Sequence, residues 1–344
     1  MAGGTQLSLT LIITGALVLG VIFVNGWTDA PNAIATAVST RVISTRKAII
    51  MATILNFCGA LALTMINAQV AETISKMVSF EGGANEPQVA LAASLFAIVV
   101  WATGAWYFGI PTSESHALIA GLTGAALAMG GLSSVNMNEW SKVLIGLGVS
   151  SVFGFGGGFL ITKLIQLISA SFQRKKANRF FALGQVGTAG AMAFLHGAQD
   201  GQKFMGVFML TLYYNGLTDR TSSGGFLIPI WVMILCSLIM GIGTSVGGVR
   251  IIKTVGLDMV KLERYQGFSA DLGASICLLV ASLLGIPLST THTKTTSIMG
   301  VGAAKRLSSL DWRIVKEMVL AWVLTFPGCG LIAYLMTKLF VQIF

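Results

Sequence analysis

The sequence predicts an all-α polytopic membrane protein of two inverted-topology repeats. Each repeat has about five crossings, with broken helices or re-entrant hairpins at the midplane, for roughly 10–12 transmembrane segments in all. Three observations predict it. Charge is scarce, two polar motifs each occur twice in the same order, and the loops of the two halves are opposite in basic content. Of 344 residues, 54% are hydrophobic and only 10% are Asp, Glu, Lys or Arg, against roughly a quarter in soluble domains. That many charges cannot cover a water-soluble surface of this size, so a soluble globule is excluded.

Apolar stretches run over about 7–24, 48–70, 89–108, 116–132 and 143–169, and after a short basic interruption over 180–195, 226–246, 268–284, 292–304 and 315–344. Each is long enough to cross, or partly cross, a hydrocarbon core. The division is a first repeat over 1–172, a basic linker over 173–179 and a second repeat over 180–344. The amino terminus lacks a basic leader and a small-residue cleavage site, so the first apolar segment is expected to be retained. Cys58, Cys236, Cys277 and Cys329 lie singly in apolar runs, without the paired spacing of zinc or redox sites.

The duplication is visible in two motifs. GIPTSESH (109–116) matches GIPLSTTH (285–292) at Gly, Ile, Pro, Ser and His, while NGWTDAPN (25–32) matches HGAQDGQK (196–203) at Gly and Asp. The order and the separation are nearly the same in both halves. Basic residues then give orientation. Arg41, Arg46, Lys47, Arg174, Lys175, Lys176, Arg179, Arg250, Lys253, Lys261, Arg264, Lys305, Arg306, Arg313 and Lys316 collect on one face. Lys76, Lys142, Arg220 and Lys338 collect on the other. The positive-inside rule makes the richer face cytoplasmic and places both termini outside, in the plasma membrane. The net charge of +9 is therefore a topology signal, with no nucleic-acid partner implied.

Ionisable groups at membrane depth are costly and mark function. Asp29 and Asp200 sit where apolar runs give way to Gly, Pro, Asn or Gln. Pro31 and the glycines 26, 197 and 201 predict a broken helix at both places. The second motif supplies hydroxyls after a proline, Thr112, Ser113 and Ser115 in one half and Ser289, Thr290 and Thr291 in the other, the pattern of a helix N-terminus and an anion site. Carboxylates would repel an anion, and a cation between them resolves the conflict, so coupled movement of anion and cation is expected. Protons neutralising the aspartates would serve equally. His116 and His292 occupy matching positions and are expected to orient the hydroxyl loops by local hydrogen bonds, a proton relay being the alternative. Glu114 and Lys294 have no charged counterpart in the other half. FGFGGGF (153–159) predicts close helix packing, since the Lys-Ser/Thr ending of a phosphate loop is missing. No hydrolase elbow or zinc-protease motif is present, and no metal site beyond sodium and no cofactor are expected.

At these residues the chain resembles the inorganic phosphate transporter (PiT) family of cation-coupled symporters. NGWTDAPNAIATAV (25–38) is similar to its GANDxxNAxGTAV signature, and PTSESH and PLSTTH to its P-x-S-T-T-H motif. Trp27, Thr28 and Glu114 depart from the usual Ala, Asn and Thr, and the short centre resembles compact prokaryotic members. The resemblance implies a secondary active transporter that is not an enzyme and imports inorganic phosphate with sodium ions. Proton-coupled or metal-phosphate permeation is its first alternative and an anion channel its second. It further implies phosphate on Asn25, Asn32, Thr112, Ser113, Gln202, Ser289 and Thr290, and sodium on Asp29, Ser115, Gln199, Asp200 and Thr291. Membrane lipid surrounds such a protein, and a homo-oligomer is compatible with the sequence.

Overall fold

Apolar sequence in lipid must satisfy its backbone internally, and here it does so almost wholly as helix. The computed structural model describes residues 9–83, 85–110, 112–169, 173–246 and 248–344, so Pro111, expected to open a helix, lies outside the described residues. The first half contains α1 (Leu9–Thr28), α2 (Pro31–Ser39), α3 (Thr45–Ile66), α4 (Gln69–Lys76), α5 (Glu86–Tyr107), α6 (Glu114–Gly130) and α7 (Met137–Ser169). The second contains α8 (Arg174–Tyr214), α9 (Ile230–Val246), α10 (Val249–Lys253), α11 (Arg264–Leu283), α12 (Thr290–Lys305) and α13 (Trp312–Ile343). Among the described residues the only strand-like feature is an isolated bridge between Val78 and Val135.

Seven helical segments among the described residues are long and apolar enough to cross a membrane, with α1 and α2 as one span, and α9 with α10 makes an eighth. This is fewer than the expected 10–12. The shortfall has a physical cause: α12 has only 16 residues, and α8 buries Gln185, His196, Gln199, Asp200, Gln202 and Lys203 along its length. In the second half the two helices that carry the polar motifs, α8 and α12, are the ones that fail a test of length and apolarity, whereas α1–α2 and α6 of the first half pass it.

Packing exchanges between the halves. Helix α6 lies on α13 and α12 on α7, α1 on α9 and α8 on α3, α5 on α13 and α11 on α7. The exchange reaches single atoms. Gly109 and Gly285 adopt φ of +70° and +67°, a region open to glycine. The carbonyl of Gly109 accepts from Thr254 Oγ1 and that of Gly285 from Thr73 Oγ1, both at 3.2 Å. The two hairpin loops open toward opposite ends of the molecule. Leu284 and Gly285 share a cavity with Glu72, Lys76, Glu139 and Lys142, where α7 begins. Its far end, 33 residues away and therefore roughly 50 Å along the axis, meets the start of α11 through Gln166 and Tyr265. Gly109 shares a cavity with Thr254, Lys261 and Arg313 near that far end.

Glycine sets the helix spacing. A Cβ at Gly158 would lie 2.1 Å from the Ser297 carbonyl oxygen, one at Gly154 2.3 Å from Thr296 Oγ1, and one at Gly124 2.1 Å from the Gly330 carbonyl oxygen. The Gly-rich run of α7 is thus a packing surface for α12, as its apolar setting predicts. The expectation of a broken helix is met in the first half, where Asp29 and Ala30 interrupt α1–α2 ahead of Pro31. In the second half it fails, because α8 is continuous from Arg174 to Tyr214. No proline interrupts it, and its glycines serve contact instead: a Cβ at Gly197 would be 2.2 Å from the Asn56 carbonyl oxygen and one at Gly201 2.5 Å from Ala60 Cβ.

Candidate functional site

Helices α6 and α12 begin at equivalent serines. Ser113 Oγ accepts from the His116 amide at 3.3 Å and Ser289 Oγ from the His292 amide at 3.1 Å, so each serine is an N-cap. Ser289 Oγ also donates to Ser113 Oγ at 2.7 Å. Two helix N-termini therefore meet head to head, and the first-turn amides of Glu114, Ser115, Thr290 and Thr291 have no partner within their own helices. With the dipoles behind them, they form a place for an anion.

The two aspartates flank this meeting point, and each is held by residues of both halves. Asp29 Oδ1 accepts from Asn32 Nδ2 at 2.8 Å and from Thr291 Oγ1, while Asn32 Nδ2 lies 3.2 Å from Thr291 Oγ1. Asp200 Oδ1 accepts from Ser115 Oγ at 3.3 Å, and Oδ2 from Asn25 Nδ2 at 3.1 Å and Thr290 Oγ1 at 3.3 Å. Asp29 is 1% exposed and Asp200 0%, depths at which a charge needs a partner. Asp200 has one, Lys203 Nζ at 2.7 Å. Asp29 Oδ2 and the side-chain oxygens of Asn25 and Asn32 accept no hydrogen bond.

His196 completes the cluster. Asn56 Nδ2 donates to the Ala52 carbonyl, so its Oδ1, 2.7 Å from His196 Nδ1, accepts a hydrogen bond from the ring. The other ring nitrogen, Nε2, then faces Asp200 Oδ2 at 3.5 Å. Ligand atoms of Asp29, His196 and Asp200 all lie within 4.8 Å of one another, a grouping in which a cation can sit. Asp29 and Asp200 are the pair expected to flank a cation, and His196, one helical turn before Asp200 on α8, joins them. Glu114, also buried, makes no hydrogen bond through either oxygen and lies beside Asn25, within electrostatic reach of Asp29 and Asp200.

The structure thus brings together Asn25, Asp29, Asn32, Ser113, Ser115, Asp200, Ser289, Thr290 and Thr291. Three expected residues stand elsewhere. Thr112 is half-buried with its amide on the Ile110 carbonyl. Gln202 Nε2 holds the Asn67 carbonyl at the end of α3. Gln199 braces the 285–289 loop through the Ile286 carbonyl and the Leu288 amide, so it positions the hydroxyl cluster and touches neither aspartate. The histidines orient their loops through backbone amides alone. Their rings pack edge to face at 4.2 Å, His292 against Trp322 at 3.7 Å and His116 against Phe326 at 4.9 Å.

A sequence model of the phosphate transporter family matches twice, over 25–176 and 168–333. The chain belongs to the phosphate transporter family. It is 37% identical over 334 residues to a Bacillus subtilis protein named "probable low-affinity inorganic phosphate transporter", covering 95% of this chain and 98% of that one. A Rhizobium meliloti protein of the same name is 40% identical over 317 residues, covering 91% of each. A solved structure titled "The sodium-dependent phosphate transporter" superimposes with a TM-score of 0.87, covering 98% of this chain and 100% of that one at 24% identity, and so shares its fold. The protein is a multi-pass membrane transporter of phosphate and not an enzyme. Lys203 is the residue that sequence reasoning overlooked. The signal was available: it stands three positions after Asp200, one helical turn on, where the first half has Asn32.

Proposed function

We propose that this member of the family imports inorganic phosphate together with sodium ions by alternating access. The basic end would lie in the cytoplasm of a plasma-membrane protein with both termini outside. The repeats 1–172 and 180–344, joined by 173–179, would be inverted relative to each other. The observation that carries the reading is the Ser289–Ser113 contact, where two helix N-termini converge between two buried aspartates. Phosphate placed there draws on the first-turn amides, Asn25, Asn32, Ser113, Ser289 and Thr290. Its charge adds to that of Asp29 and Asp200, against one ammonium from Lys203, and so requires an accompanying cation. Oxygen donors from Asp, Asn and Thr suit an alkali ion, and the fold neighbour's title names sodium dependence.

Labelled phosphate uptake into proteoliposomes tests this reading. Concentrative uptake driven by an inward sodium gradient is expected, and uptake indifferent to sodium but driven by a pH gradient would replace sodium with protons. Downhill flux only, with no accumulation under any cation gradient, would make the protein a channel. A second reading, proton-coupled or metal-phosphate permeation, is favoured by one observation: the ring nitrogen of His196 faces Asp200 beside Asp29, a mixed nitrogen–oxygen set that protons or a divalent metal use readily.

A further inference from the structure

The two carboxylates that the repeat makes equivalent are not in equivalent surroundings. Register through the first motif pairs Asn25 with His196, Thr28 with Gln199, Asp29 with Asp200 and Asn32 with Lys203. At Asp29, the residue one turn on is a neutral amide whose Nδ2 donates to Asp29 Oδ1 and Thr291 Oγ1, and Asp29 Oδ2 and Asn32 Oδ1 remain unused although buried. At Asp200 the same position carries an ammonium, and both carboxylate oxygens accept hydrogen bonds, with Oδ2 also facing His196 Nε2 at 3.5 Å. Oδ1 takes Lys203 and Ser115, and Oδ2 takes Asn25 and Thr290.

The partners of that ammonium are informative. Lys203 Nζ donates to the Asp200 carboxylate at 2.7 Å, to Ser115 Oγ at 2.7 Å and to the Leu288 carbonyl, which uses all three of its protons. A carboxylate, a hydroxyl and a backbone carbonyl are also the oxygens that a hard cation gathers from a protein. The twofold mates of these three groups are the Asp29 carboxylate, the Thr291 hydroxyl and the carbonyl of Thr112. The first two already touch each other, and no lysine stands among them.

We propose that Lys203 is a tethered cation that occupies, at Asp200, the place of one co-transported cation, so that mobile cation coupling runs through the Asp29 side alone. The proposal rests on the cation-coupled reading above and deepens it: the symmetric fold has two carboxylate sites, and this chain has filled one permanently. The resident charge neutralises Asp200 in every conformation, as a bound ion would in the loaded state. It cannot be released, so it contributes no driving force.

The test is the dependence of phosphate affinity on sodium concentration, measured by calorimetry on the purified full chain at fixed ionic strength, with a parallel series in pH. By linkage, one coupled ion makes apparent phosphate affinity rise about tenfold per tenfold of cation, and two make it rise about a hundredfold. Wild type is expected to show the single-ion slope, in sodium or in protons, and Lys203→Asn, which copies the first half, to gain one more. Asn32→Lys, which tethers an ammonium on both sides, is expected to make phosphate binding independent of cation. A two-ion slope in wild type overturns the proposal, and so does an unchanged single-ion slope in a folded, phosphate-binding Lys203→Asn. If that variant does not fold, the wild-type slope and Asn32→Lys decide. A wild type with no cation dependence at all refutes symport itself, an outcome distinct from a cation-dependent wild type that counts two.

Discussion

Substituting Asn for Asp at the two equivalent positions should give two different phenotypes. Asp29→Asn keeps the shape of the side chain and its contacts with Asn32 and Thr291 while removing the charge that would face a bound cation. A unit charge about 4 Å away, at an effective dielectric constant of about 20, is worth roughly 4 kcal/mol. The remaining amide oxygen retains part of this, so about 2–4 kcal/mol should be lost, or roughly 30- to 1000-fold in cation affinity. Folding should be little affected, because no resident cation is left behind. Asp200→Asn strands the ammonium of Lys203, which is fully buried. Breaking a buried pair from one side costs about 3–5 kcal/mol. The expected result is a lower melting temperature in detergent and less folded protein, with stability returning in Asp200→Asn/Lys203→Met. Thermal unfolding followed by size exclusion measures the first effect, and cation titration of phosphate uptake the second. Equal losses of stability in both single variants, or undiminished cation affinity in Asp29→Asn, would refute the reasoning.

A second buried pair, Asp271 with Lys294, ties α11 to α12 and, through Thr36 at 2.7 Å from Asp271 and 3.0 Å from Lys294, to α2. Asp271→Leu should cost about 3–5 kcal/mol of stability, and Asp271→Leu/Lys294→Met should recover most of it. A single variant as stable as wild type in a detergent melt would show that the pair contributes nothing. Gly197→Ala should destabilise by about 1–3 kcal/mol, because the added carbon meets the α3 backbone. Gly20→Ala, which meets nothing within 4 Å, should be neutral or slightly stabilising, and the reverse order of the two melting temperatures would contradict the packing described for α3 and α8.

What could be read from the sequence was what chemistry makes rare in an apolar chain. A carboxylate recurring beside glycine, and a Pro-x-Ser-x-x-His string recurring at like spacing, stand out against leucine and valine. They located Asp29, Asp200, Ser113 and Ser289, which the structure brings into one cluster. Glycine was ambiguous. At 26, 197 and 201 it could break a helix or admit a neighbour, and only the approach of Asn56 and Ala60 decides that 197 and 201 do the latter. Partner choice was equally hidden. Ser115 pairs with Asp200 and Thr291 with Asp29, each across the halves, because helix α6 presents its first turn to α8 and α12 presents its own to α2. The polarity that made α8 functional also lowered its apolar signal, so the helix with the richest site was the weakest span.

The departures from symmetry have an energetic consequence. Two identical inverted halves would give facing conformations of equal energy, since each conformation maps onto the other when the halves exchange roles. Here the halves differ at buried titratable residues: His196 against Asn25, Lys203 against Asn32, Glu114 against Thr290, and Lys294 with Asp271 against apolar or neutral positions. Buried charges interact across several kcal/mol, far more than is needed to shift a two-state population from balanced to one-sided. Under the alternating access proposed above, these few side chains would set which facing arrangement the empty protein prefers. Substitutions that restore the first-half residue, Lys203→Asn foremost, should therefore alter the facing preference as well as the ion count, and cysteine accessibility measured from each side of the membrane separates the two effects.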